Sequence, residues 1–123
     1  MPKSRILLVD DEPDIVETVA FMLQTRNYSV SIASGGLEGI EKAKNEHPDL
    51  ILLDIMMPDM NGYDVCMKLK ADVGTKDIPV IMLTAKSESE AVLKSHSLGA
   101  DDYVVKPFSL PTLLSKLKKF LVR

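Results

Sequence analysis

Apolar positions along this chain follow two rhythms. Short runs of consecutive apolar residues recur between longer segments whose apolar residues return every three or four positions. The first rhythm belongs to strands buried on both faces, the second to helices with one covered stripe. Arg5–Val9 is the first predicted strand. Pro13–Arg26 follows as a helix, with Ile15, Val19 and Leu23 on one stripe and Val16 and Ala20 beside it. Pro13 suits its first turn, where the missing N–H costs nothing. Tyr28–Ala33 predicts a second strand, alternating Tyr28, Val30 and Ile32 against serines as an edge strand would. Ser34 is placed to cap a helix carrying Leu37, Ile40 and Ala43, with Pro48 beyond its end.

Leu50–Leu53 predicts the third strand, and Tyr63–Val73 a helix with Val65, Cys66 and Leu69 inward, stopped near Gly74. Ile78–Leu83 is the fourth strand, with Pro79 tolerable only near its start. Ser87–Leu98 is the weakest helix, its apolar stripe little more than Val92 and Leu98, with Gly99 as its stop. Tyr103–Val105 is a short fifth strand. Ser109–Leu121 closes the series with Leu110, Leu113, Leu114, Leu117 and Leu121 inward. Strands alternating with helices predict an α/β fold, a doubly wound parallel sheet of five strands covered by five helices. With 123 residues and no internal repeat or linker, residues 1–123 are expected to form one domain.

Composition narrows the picture only a little. Charged residues make up 27% of the chain and the net charge is −3, which favours neither nucleic acid nor membrane. No apolar run is long enough to span a bilayer, and the first residues lack the hydrophobic core of a signal peptide. The single cysteine, Cys66, cannot form an internal disulfide, and a buried helix position in a cytoplasmic protein is expected. Lys116, Lys118 and Lys119 suggest a solvated face near the C-terminus of the last helix.

In an open parallel sheet, ligands bind beyond the carboxyl ends of the strands. The residues there are Asp10, Asp11 and Glu12 after the first strand, Asp54 after the third, Thr84 after the fourth and Lys106 after the fifth. Taken singly, each has a plainer explanation: acids belong at helix starts, and Asp54 suits a turn. Taken together they gather charge at one edge. Two carboxylates about 5 Å apart repel by ~3 kcal/mol at an effective dielectric of 20. A hard divalent cation such as Mg2+ turns that repulsion into binding, and a lysine opposite it can hold phosphoryl oxygens.

The segments "LLVDDEP", "LILLDIMMPDMNGYDV", "PVIMLTA" and "GADDYVVKPF" occur in this order on the expected elements. With them, essentially the whole chain resembles a bacterial response-regulator receiver domain of two-component systems. The resemblance implies a flavodoxin-like sheet of strand order 2-1-3-4-5. It also implies that Asp54 is the phosphoacceptor, charged by a sensor histidine kinase or a histidine phosphotransfer protein. Asp11 and Asp54 would ligate Mg2+, with Mn2+ able to substitute, together with the backbone carbonyl of Met56; Asp10 would act through water. Thr84 and Lys106 would hold phosphoryl oxygens, Tyr103 would be the aromatic switch, and Lys106–Pro107 falls where the family has a cis peptide. The side chain of Met56 and Lys86 would border the phosphoryl group.

On this resemblance the chain is a signalling switch that assists its own phosphorylation and dephosphorylation, not a turnover enzyme. It would act in the cytoplasm on a downstream effector domain or protein, without binding nucleic acid or membrane directly. Any dimer would use the face formed by the fourth helix, fifth strand and fifth helix. A stand-alone regulator and the N-terminal part of a longer DNA-binding one read alike here, with the second favoured. Both histidines, His47 and His96, are expected near helix ends away from the site. Three other functions compete, one of them a purely structural interaction domain, which would leave the charge convergence unexplained. A haloacid dehalogenase-like phosphatase also uses an Asp nucleophile and Mg2+, but needs an acid two residues on, where this chain has Met56. A flavodoxin-like cofactor carrier needs a hydroxyl- and glycine-rich first loop, where this chain has Asp-Asp-Glu-Pro.

Overall fold

The computed structural model describes residues 3–85 and 98–121. Five strands, β1 (Arg5–Val9), β2 (Ser29–Ala33), β3 (Leu50–Asp54), β4 (Val80–Thr84) and β5 (Asp102–Val105), form one parallel sheet in the order β2-β1-β3-β4-β5. Helices α1 (Pro13–Thr25), α2 (Gly36–Glu46) and α3 (Gly62–Ala71), with a C-terminal helix Leu110–Phe120, cover it. The helix predicted over Ser87–Leu98 lies outside the described residues except for Leu98, so four of the five expected helices are observed. Gly99, its expected stop, adopts the left-handed conformation with φ +92.

Strand side chains alternate between faces, so an uninterrupted apolar run feeds two cores at once. Leu7, Val9, Ile51, Leu53, Val80 and Met82 pack with Ala43, Val65, Cys66 and Leu69 of α2 and α3. Ile6, Leu8, Leu50, Leu52, Ile81, Leu83 and Val104 pack on the other face with Val19 and Leu23 of α1 and with Leu113 and Leu117 of the C-terminal helix. One inward assignment and one solvated one need correction. Leu37, read as part of the α2 stripe, is 61% exposed. Of the lysines read as a solvated face, Lys119 is 61% exposed as expected but Lys116 only 27%, and they pair with Asp102 at 3.3 and 2.9 Å.

Boundaries differ from expectation by one or two residues. β2 begins at Ser29, leaving Tyr28 outside, and β4 begins at Val80, with Pro79 just before it. That position spares Pro79 from donating to the ladder, while its carbonyl still accepts from the Ile51 amide at 2.9 Å. The cap of α2 moves by one residue: Gly35 is the N-cap, and its side-chain partner comes from elsewhere in the chain. Asp59, in the loop after β3, accepts from the amides of Gly36 and Leu37 at 3.0 and 3.1 Å. Ser34 instead donates through its amide and its hydroxyl to Glu38, at 2.7 and 3.0 Å.

The two α2 amides hold the Asp59 carboxyl below the usual carboxylate range. A carboxylate whose folded pKa is depressed stabilises the fold above its unfolded pKa and loses that contribution as pH falls through the folded one. Asp59→Ala is therefore expected to lower the melting temperature at neutral pH. The gap from wild type should close in acid, below the depressed pKa; an equal gap at both pH values would contradict it.

Candidate functional site

The site begins at the carboxyl end of β3. Val9 lies opposite Leu53 and Leu83 opposite Asp54, so the ends of β1, β3 and β4 are level. Asp54 is the last residue of β3, and Thr84 the last of β4. By strand alternation Asp54 shares the face of Leu50 and Leu52, the side covered by α1 and the C-terminal helix. Thr84 follows Val80 and Met82 on the opposite face, and Tyr103, paired with Met82 in the ladder, packs against that same core.

The loop after Asp54 is held tightly. The Gly62 amide donates to the Ile55 carbonyl at 2.7 Å, and the Asn61 side chain caps α3 by accepting from the Asp64 amide. A Cβ on Gly62 would lie 2.3 Å from the Asp54 carbonyl oxygen and 2.8 Å from the Ile55 Cα. Only glycine permits that approach, which accounts for the Asn-Gly pair eight residues into "DIMMPDMNG".

Lys106 crosses from the end of β5 with its amide donating to the Thr84 carbonyl at 2.6 Å, and the peptide to Pro107 is cis, as expected. Its ammonium donates to Asp54 Oδ1 at 3.0 Å, Asp10 Oδ2 at 3.2 Å and Glu12 Oε1 at 3.5 Å. One carboxylate oxygen each of Asp10, Glu12 and Asp54 lie within 4.8 Å of one another. Asp10 is itself fixed by donating its amide to the Ala33 carbonyl and accepting the Glu12 amide at 3.0 Å.

Among the described residues one cation faces several acids, an excess of negative charge. Burial pushes the Asp54 carboxyl up from its ordinary range, and Asp10 and Asp11 add to the rise against the opposing Lys106 hydrogen bond. For Lys106, burial works against the charge, but hydrogen bonds and attraction from Asp54 and Asp10 prevail and its pKa is raised. Two buried oxygens, Asp54 Oδ2 and Asp11 Oδ1, have no hydrogen-bond partner. Orphaned carboxylate oxygens beside an acidic cluster fit a hard divalent cation, which takes oxygen ligands.

The expected site residues thus fall into two groups. Asp10, Asp54 and Lys106 meet directly, and Asp11 acts on Asp54 through its charge. Thr84 is buried at the adjacent strand end and Tyr103 is half-buried on the same face. Met56 is 75% exposed. Lys86 and His96 lie outside the described residues, and His47 is the exposed C-cap of α2, following it with φ 49. Glu12 is the residue sequence reasoning passed over as a helix-start acid; its place directly after Asp10 and Asp11 was the available signal. Cys66 is buried, and burial pushes its thiol up to about 11, so it stays protonated at neutral pH.

A parallel 2-1-3-4-5 sheet with this acid–lysine pocket at its carboxyl edge defines a flavodoxin-like α/β module. The model of the response regulator receiver domain matches residues 6–118, and the chain belongs to that family, the receivers of two-component systems. It is 40% identical over 119 residues to the DNA-binding dual master transcriptional regulator RpaA of Synechocystis sp., covering 97% of this chain and 49% of that one. It is 39% identical to the DNA-binding response regulator MtrA of Mycolicibacterium smegmatis, covering 98% and 52%. The chain thus spans about half the length of these relatives. The Vibrio cholerae chemotaxis protein CheY4 superposes with a TM-score of 0.91 at 33% identity, covering 97% of this chain and 99% of that one. Among the described residues no helix is long and apolar enough to cross a membrane.

Proposed function

We propose that Asp54 accepts a phosphoryl group from a phosphohistidine on a sensor kinase or phosphotransfer protein. An Asp54 carboxylate oxygen forms the new P–O bond as the donor's P–N bond breaks, the electron pair staying on the imidazole nitrogen. The observation that carries this reading is the buried, unpartnered Asp54 Oδ2 beside an ammonium that already binds the other oxygen of the same carboxylate. An acid held so is a ready nucleophile, with one oxygen free to react and the other fixed.

Asp11 and Asp54, the Met56 backbone carbonyl and, through water, Asp10 would hold Mg2+, or Mn2+ in its place, whose charge neutralises the oxygens gathered around the transferred group. Lys106 adds the second positive charge from the opposite side, and its attraction grows as negative charge accumulates on the phosphoryl oxygens. The Thr84 hydroxyl donates a further hydrogen bond. Its move toward the phosphoryl group opens space on the face it shares with Tyr103, which rotates inward as the switch. Lys116, 5.2 Å from the centre of the Tyr103 ring, couples that rotation to the C-terminal helix.

The readout is a changed surface around β5 and the helices flanking it, which is also the surface for a dimer. An output domain or partner protein responds to it, in the reducing cytoplasm that a free buried thiol suits. DNA contact of the kind named for the relatives belongs to such an output part. The test is transfer from a phosphorylated histidine kinase: label should pass to this chain only with a divalent cation present and stop on chelation. Label transfer that ignores chelation would overturn the cation-assisted reading.

A further inference from the structure

Lys106 has three N–H bonds and, in this structure, three carboxylate acceptors: Asp54, Asp10 and Glu12. Its donors are fully subscribed. A phosphoryl oxygen arriving on Asp54 can be held by this ammonium only if one acceptor gives way. The three are not equivalent. The side chains of Asp10 and Asp54 are 0% and 6% exposed, so neither can swing out to water. Glu12 is 58% exposed, makes the longest contact, and can return to water at little cost.

The backbone keeps Glu12 at this mouth whatever its side chain does. Its amide donates to Asp10 Oδ1, its carbonyl accepts from Val16, and Pro13 follows as the first residue of α1. Its side chain makes no capping bond to the helix, so the Lys106 ammonium is its partner in the resting site.

We propose that Glu12 is a placeholder for the phosphoryl group. It occupies the third Lys106 donor in the resting protein and surrenders it when Asp54 is modified. This rests on Asp54 being the phosphoacceptor, and it adds a positioning residue that sets how strongly the pocket holds an oxyanion. Removing the carboxylate leaves one ammonium N–H unclaimed and removes a negative charge facing the incoming group; both changes favour the modified state.

The test titrates the full chain with Mg2+ alone, then with beryllofluoride in saturating Mg2+, by calorimetry. Glu12→Gln should bind beryllofluoride about three- to tenfold more tightly, while its Mg2+ affinity changes by less than about fivefold. Glu12→Asp keeps the charge but withdraws it by one methylene, and should also bind more tightly than wild type. Unchanged or weaker beryllofluoride binding by Glu12→Gln would overturn the proposal. So would a larger fall in Mg2+ affinity, which would make Glu12 a cation ligand, or wild-type behaviour in Glu12→Asp, which would make the effect one of charge at a distance. A wild-type chain that takes no beryllofluoride, or takes it equally as Asp54→Asn, overturns the phosphoacceptor reading itself and the placeholder with it.

Discussion

Gly62→Ala is expected to cost the fold about 3 kcal/mol and to slow phosphorylation of Asp54 by more than the loss of folded protein explains. The added methyl would stand 2.3 Å from the Asp54 carbonyl oxygen and 2.8 Å from the Ile55 Cα, both backbone atoms. A flexible side chain could swing aside; the end of a central strand cannot. Asp54 lies in the ladder with β4, opposite Leu83, and the Ile55 amide continues it by donating to the Leu83 carbonyl. Relief must therefore come from moving the loop outward, breaking the 2.7 Å bond between Gly62 and Ile55 and loosening the segment that aims the carboxylate. Overpacking of this kind costs about 1–3 kcal/mol where neighbours can adjust, and the upper end applies where they cannot. Thermal unfolding should show a melting temperature lower by about 10 °C. A variant as stable and as readily phosphorylated as wild type would mean that the loop is far softer than its contacts imply.

Lys106→Met is the second large effect, and its size depends on solution conditions. The ammonium is the cation that Asp10, Glu12 and Asp54 share. Methionine fills similar volume without charge, leaving two buried carboxylates facing each other. Removing one member of a buried ion pair typically costs about 3–5 kcal/mol. Asp54 already sits above the ordinary carboxylate range through burial and its acidic neighbours, and loss of Lys106 raises it further. An acid raised in the folded state binds more protons folded than unfolded, so its contribution to stability falls as pH rises from the unfolded pKa through the folded one. The variant should thus be weakest at neutral and alkaline pH and approach wild type near pH ~4, where the unfolded carboxylates begin to protonate. Mg2+ should restore much of the loss, since a cation replaces a cation. Chemical denaturation across pH, with and without Mg2+, reads both trends. A constant deficit insensitive to either would show that Lys106 supports the fold by packing alone.

The sheet was legible because each core strand carries one unambiguous pattern. Leu50 to Leu53 have no polar interruption because alternate members feed opposite cores, as the packing bears out. The convergence of Asp10, Asp54 and Lys106 was legible for the same reason: parallel strands of equal register end together, so residues following them meet. What escaped was mostly long-range. The α2 cap was assigned to Ser34, the nearest suitable side chain, whereas Asp59 supplies it from more than twenty residues away. Propensity near a helix start cannot reveal a partner brought in by another loop. Lys116 resembled part of a solvated face because Asp102, its partner, lies on a strand whose burial shows only after folding. Leu37 satisfied the helical period but stands clear of the sheet beside the edge strand β2. Glu12 had a sufficient local explanation as a helix-start acid, which concealed its reach to Lys106.

The central claim is that one buried carboxylate, Asp54, is the atom-level target of phosphorylation. Intact-mass measurement after incubation with a small acyl phosphate and Mg2+, followed by mapping of the modified peptide, tests it most directly. One phosphoryl group per chain, located on Asp54, not formed when the cation is chelated beforehand and missing in Asp54→Asn, is the result the structure predicts. A phosphoryl group on any other residue, or its persistence in Asp54→Asn, would contradict it.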